Sequence, residues 1–93
     1  MIDRKKRGKI ETEFIGGRYE GDEETEKVLS KLVGRPMKCY DTCIDDGVDD
    51  DETEDEYIMK SCFSTEDDKI IIRIYYGDVT DEVTYVSIQT DEF

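Results

Sequence analysis

Ninety-three residues are enough for one domain with a modest core and exclude a multidomain architecture. With 35% hydrophobic residues, 42% charged residues and a formal charge of −13, the chain borders on compositions that stay disordered. Its apolar residues are clustered and periodic, however, which argues for a folded domain with a highly charged surface. A charge of this size opposes binding to nucleic acid and anionic membrane and favours cations and basic protein surfaces; solubility alone needs about half as much.

The charge is unevenly distributed. Met1 to Lys9 holds Arg4, Lys5, Lys6, Arg7 and Lys9 against Asp3, a local balance of +4, so the other 84 residues carry −17. Residues 1–8 are expected to form a mobile basic arm ahead of a single domain at 9–93. The arm has no apolar h-region and no run approaches membrane-spanning length, which argues against secretion and insertion.

After the arm, "KIETEFI" alternates Ile10, Thr12 and Phe14 with Glu11 and Glu13, the period of a half-buried strand. Gly16 and Gly17 permit a tight turn, with "RYEG" as a short return. "DEETEKVLSKLVGRP" reads as an amphipathic helix. Asp22 is placed to cap it, Glu23 and Glu24 fall in its first turn, Val28, Leu29, Leu32 and Val33 form an apolar stripe, and Gly34 and Pro36 end it. Four strand-like runs follow: "MKCYDTCI", "YIMKSCF", "KIIIRIYY" and "EVTYVSIQT". Ile70, Ile72, Ile74, Val86 and Ile88 are expected to face the helix, with Ile71, Arg73 and Tyr75 on the other side. Short links predict an antiparallel meander for the last three strands. The expected fold is α+β: one helix on a four- to five-stranded, mainly antiparallel sheet in the order β-α-β-β-β-β.

The segment between the first two of these strands carries nine carboxylates: Asp45, Asp46, Asp49, Asp50, Asp51, Glu52, Glu54, Asp55 and Glu56. Alternate connections of a meander fall at the same end of the sheet, so Asp78, Asp81 and Glu82 are expected to join this block. Glu66, Asp67 and Asp68 go to the opposite rim with Asp91 and Glu92, and Glu11, Glu13 and Asp41 are expected on exposed faces. Acids two apart on an extended segment lie roughly 6.6–6.8 Å from one another, and duplex DNA presents one charge per ~1.7 Å of axis, so such rows can imitate a phosphate path.

Other chemistries fit less well. In an EF-hand register with Gly47 at the sixth position, Thr42, Ile44 and Thr53 stand where Asp, Asp or Asn, and Glu are required; a calcium-responsive module is the third reading. Cys39, Cys43 and Cys62 with no His leave zinc short of a fourth ligand, and they read as reduced, small hydrophobic strand residues. On one strand, Cys39 and Cys43 would stand about 13 Å apart, too far for a disulfide. With no His and no activating partner for Ser or Cys, catalysis has no recognisable base, and no enzyme or cofactor is expected. Direct nucleic-acid binding would rest on "RKKRGK" alone, against the acidic body, and is not expected.

In its size, the block "DDGVDDDETEDE" and the sheet "KIIIRIYYGDVTDEVTYVSIQ", the body of the chain resembles small acidic α+β proteins of bacteriophages and mobile elements that act as DNA mimics. These include inhibitors of uracil-DNA glycosylase, restriction enzymes, CRISPR nucleases and nucleoid proteins. The resemblance implies a cytoplasmic inhibitor, in a bacterial host, that occupies the basic DNA-binding surface of a nucleoid protein, nuclease or polymerase. It carries over no site residue by motif; the expected contact acids at 45–56 and at Asp78, Asp81 and Glu82 rest on the charge pattern and the meander. The alternative is an immunity-type or adaptor protein that masks a basic partner without phosphate mimicry. The tyrosine-rich strand further suggests a homodimer.

Overall fold

The computed structural model describes residues 4–44 and 57–90. Two helices, α1 (Arg4–Phe14) and α2 (Asp22–Val33), precede four strands, β1 (Lys38–Ile44), β2 (Ile58–Ser64), β3 (Ile70–Gly77) and β4 (Val83–Thr90). The sheet order is β1-β2-β3-β4 with every neighbour antiparallel. The α+β class and the meander are therefore as expected, whereas the single helix and the leading strand are not.

The correction concerns "KIETEFI". Ile10 and Phe14 are two strand repeats apart, but they are also four residues apart, which places them on one face of a helix. Both are buried and Thr12 is exposed, as the helix requires. Two apolar residues cannot discriminate between the two periods. The straight-chain residues Arg4, Lys5, Lys6, Arg7 and Lys9 favour the helix, and two of them anchor it: Lys6 Nζ donates to the Val33 carbonyl at 3.3 Å and an Arg7 guanidinium N–H to the Ile88 carbonyl at 3.2 Å. Residues 4–8, assigned above to an arm, thus lie within α1.

Gly16 closes α1 in the left-handed region at φ 87°, where a side chain would be strained. In place of a hairpin return, the following residues dock on the far end of the sheet. The Gly16 and Tyr19 amides donate to the Val83 and Asp81 carbonyls at 2.9 and 2.7 Å, the Val83 amide donates to Gly17 at 3.0 Å, and Arg18 forms a lone bridge with Glu82.

α2 agrees with its sequence pattern except at its start. Gly21 holds the cap position and Asp22 is the first helical residue, its carboxylate turned to the sheet. Gly34 ends the helix in the left-handed region at φ 87°, its amide bonded to the Ser30 carbonyl at 2.9 Å. Positions 22, 26 and 30, one helical face, reach β1 and its approach: Asp22 accepts from Thr42, Glu26 from the Cys39 amide at 2.7 Å, and Ser30 from the Met37 amide at 2.8 Å. α2 therefore runs antiparallel to β1.

Both helices cover one sheet face. Ile70, Ile72, Ile74 and Phe63 are fully buried under them with Leu29 and Ile10, and Phe14, Tyr19, Val33, Met37, Tyr76, Val83 and Val86 join them in the core. Each such side chain contributes roughly 1.5–3 kcal/mol of transfer free energy. Ile71, Arg73 and Tyr75 lie on the other face, which neither described helix covers.

Candidate functional site

The β3–β4 turn carries Asp78, Asp81 and Glu82. Asp81 adopts φ 62°, a conformation that Asp tolerates better than most residues. The turn is closed by Asp81 N–H to the Gly77 carbonyl at 3.0 Å and Gly77 N–H to the Glu82 carbonyl at 3.1 Å. Asp78 ties this turn to Tyr57: its amide donates to the Tyr57 carbonyl at 3.0 Å, and its Oδ1 accepts the Tyr57 N–H at 3.1 Å. Tyr57 is the residue at which the acidic segment rejoins the sheet. The predicted site residues Asp45, Asp46, Asp49, Asp50, Asp51, Glu52, Glu54, Asp55 and Glu56 themselves lie outside the described residues, but both flanks of their segment, Ile44 and Tyr57, are at this end.

Further acids meet there that sequence reasoning assigned elsewhere. Because 16–19 binds to 81–83, the end of α1 and the start of α2 are brought to the same pole, and Glu13, Arg18, Glu20 and Glu24 line one cleft. Glu13, expected on a sheet face, lies on α1 instead, as does Glu11; Asp41 is exposed on β1. The usable signal for the docking of α2 was the polar repeat at 22, 26 and 30 along the edge of its apolar stripe. The chain carried no comparable local mark for the docking of 16–19. Within the pole, Arg18 approaches Asp81 at 4.0 Å, with the arginine side chain 72% exposed, a pair worth little in water.

The pole is held to the sheet by a hydroxyl network. The Asp22 carboxylate accepts from Tyr19 OH, from Thr42 Oγ1 at 3.1 Å and from Ser61 Oγ at 3.1 Å. Since the Ser61 hydrogen goes to Asp22, Tyr76 OH donates to Ser61 Oγ at 2.9 Å. The Tyr19 and Tyr76 rings stack at 3.9 Å, 9° from parallel. Burial opposes ionisation of Asp22, but the hydrogen bonds from Tyr19, Thr42 and Ser61 outweigh it and hold the carboxyl below its ordinary value. Burial and the bond to Asp22 push the Tyr19 phenol up. Three of these donors converge on Asp22 and Tyr76 joins them through Ser61, so the network reads as a fastening for α2.

The opposite rim differs in kind. Asp67 there is paired with Arg35 at 2.8 Å and also accepts from Thr65 Oγ1 at 2.8 Å. These bonds hold its carboxyl well below the usual range. Among the described residues, no group of three or more Asp, Glu, Cys or His is placed to hold a metal ion, and no helix is long and apolar enough to cross a membrane. Cys39, Cys43 and Cys62 are free thiols, Cys62 buried. No protein-family model, curated protein or solved structure matches the chain.

Proposed function

We propose that this chain is a non-enzymatic acidic binding protein that imitates a nucleic-acid backbone and blocks the basic groove of a nucleic-acid-binding protein in a bacterial cytoplasm. One observation carries the reading: acids from separate parts of the chain, Glu13, Glu20, Glu24, Asp78 and Glu82, share one pole with both flanks of the 45–56 segment. Solubility would be served by scattered acids; carboxylates gathered on one rigid end suit a basic groove.

The test uses a captured basic partner. Duplex DNA should compete for it, and affinity should fall steeply as salt rises through the physiological range. Asp→Asn and Glu→Gln changes at 45–56 and at Asp78 and Glu82 should weaken binding by about 0.5–2 kcal/mol per desolvated contact, and matched changes at Glu66 and Asp68 should do less. A partner that binds without competition from DNA would instead identify an adaptor that masks a basic protein.

The sheet face that neither described helix covers supports a homodimer as part of the same reading. Tyr40 and Tyr85 are more than half exposed there, beside Tyr75, Lys60 and Arg73, and Asp41 is the one acid among that face's strand residues. Two copies meeting there keep their acidic poles out of the interface. Sedimentation showing only monomer at tens of micromolar, roughly the range for a specific standard-size interface, would remove the dimer.

A further inference from the structure

We propose that the half of the helical layer remote from the acidic pole is a second binding surface, formed by Lys5, Lys9, Lys27 and Lys31, for the phosphate backbone of duplex nucleic acid. The inference stands apart from the acidic-pole reading and revises the expectation, drawn from net charge, that the chain makes no such contact.

The helices run antiparallel. Lys6 of α1 reaches Val33 at the end of α2, while Glu13 and Phe14 meet Glu24 and Thr25 at its start. This brings the start of α1 beside the end of α2, with Lys9 and Lys27 at the middle of each helix. The cations divide their work: Lys6 and Arg7 anchor α1, and Arg35 pairs with Asp67. Lys5, Lys9, Lys27 and Lys31 are all exposed and, among the described residues, none forms an ion pair. α1 also has no acid in its first turn, so Lys5 lies where the helix dipole disfavours a cation. Lys9 and Lys27 lie four residues from Glu13 and Glu23, near enough to offset those acids, whereas Lys5 and Lys31 stand a further turn away from them.

The spacing suits phosphates. Lysines four apart on a helix are ~6 Å apart along its axis, close to every second phosphate of a strand that carries one charge per ~3.4 Å. Lys5 and Lys31 lie eight residues from Glu13 and Glu23, or ~12 Å along each helix, beyond the ~8 Å Debye length at physiological salt. An anionic membrane fits less well, because Ile10, Leu29 and Val33 are turned into the core and Val28 and Leu32 pack partly buried against it, so that among the described residues this region offers no fully exposed apolar anchor.

The test is a titration of the isotope-labelled chain with a duplex of about 12 base pairs, roughly one helical turn, starting at about 0.15 M salt, where the acids are screened, and without any protein partner. Amide shifts should move at 5–9 and 27–31 and stay fixed at 78–82. Log affinity should fall against log salt with a slope of about −3.6 for four phosphate contacts, reduced to about −1.8 by Lys27→Gln with Lys31→Gln. The quadruple Lys→Gln variant, with circular dichroism unchanged, should lose binding at least tenfold, while Lys60→Gln on the opposite sheet face should not. The proposal is overturned by absent or evenly spread shifts. It is equally overturned if the same residues respond to phosphatidylserine vesicles and not to the duplex, or to protein concentration alone, which would assign the lysines to a membrane or to another copy's acidic pole. Absent shifts or a response to vesicles leave the acidic-pole reading untouched, whereas a response to protein concentration would give that pole a basic surface of the same chain.

Discussion

Asp22 shows what one residue at a helix start can do when its carboxylate leaves the capping role to a glycine. Three hydroxyls from the 18–21 segment, β1 and β2 converge on it, so its removal strands donors on three elements. Asp22→Ala should cost about 1–3 kcal/mol, read as a lowered urea midpoint. Tyr19→Phe keeps the stack on Tyr76 and removes one donor, and should cost less, about 0.5–1.5 kcal/mol. The sign of the pH effect follows from Asp22's lowered folded pKa. The stabilisation is present above the unfolded pKa, about 4, and is lost as pH falls through the folded value. The gap between the native chain and Asp22→Ala should therefore be full at neutral pH and shrink below about pH 4. A gap that widened in acid would show that burial, rather than the hydrogen bonds, governs this carboxyl.

At the scale of elements, α2 and the strands were legible because each repeats its signal: Val28, Leu29, Leu32 and Val33 mark one helical face, and Ile70, Ile72 and Ile74 one face of a strand. α1 carries only Ile10 and Phe14, whose spacing satisfies both periods, and tertiary anchors decided between them. Its identity can be checked directly. Ile10→Ala should cost about 2–5 kcal/mol, as for a fully buried core residue, whereas Thr12→Ala should be near neutral; a strand would make Thr12 a neighbour on the buried face. Gly34→Ala tests the other helix end. A Cβ there meets nothing within 4 Å, so the cost is that of the left-handed backbone alone, about 1–2 kcal/mol, measured by thermal melting. The candidate site divides in the same way. Asp78, Asp81 and Glu82 were readable from the turn between two strong strands. Glu13, Glu20 and Glu24 were not, because their arrival depends on pairing between 16–19 and 81–83, which no local pattern announces.

Across the whole molecule, one pole gathers acids and the other half of the helical layer gathers lysines, and the acids predominate at −13. Self-repulsion of this size should dominate the response to salt. Raising ionic strength from about 0.01 to 0.15 M shortens the Debye length from ~30 to ~8 Å and should raise the melting temperature. A fall with salt would mean that attraction between the poles outweighs repulsion within one of them.

The bond from Arg7 to the Ile88 carbonyl spans 81 positions of the chain, and this sets an order of assembly. The β2–β4 meander closes through short links and can form from nearby pairings, which are fast. α1, made before them on the ribosome, has only α2 to lean on until β4 has emerged, so Ile10 and Phe14 lack most of their core while the strands are synthesised. The first of these elements to appear is then the last to be fixed. A nascent chain halted before Val83 should leave the peptide bonds of α1 open to protease while those of β2 and β3 are already sheltered.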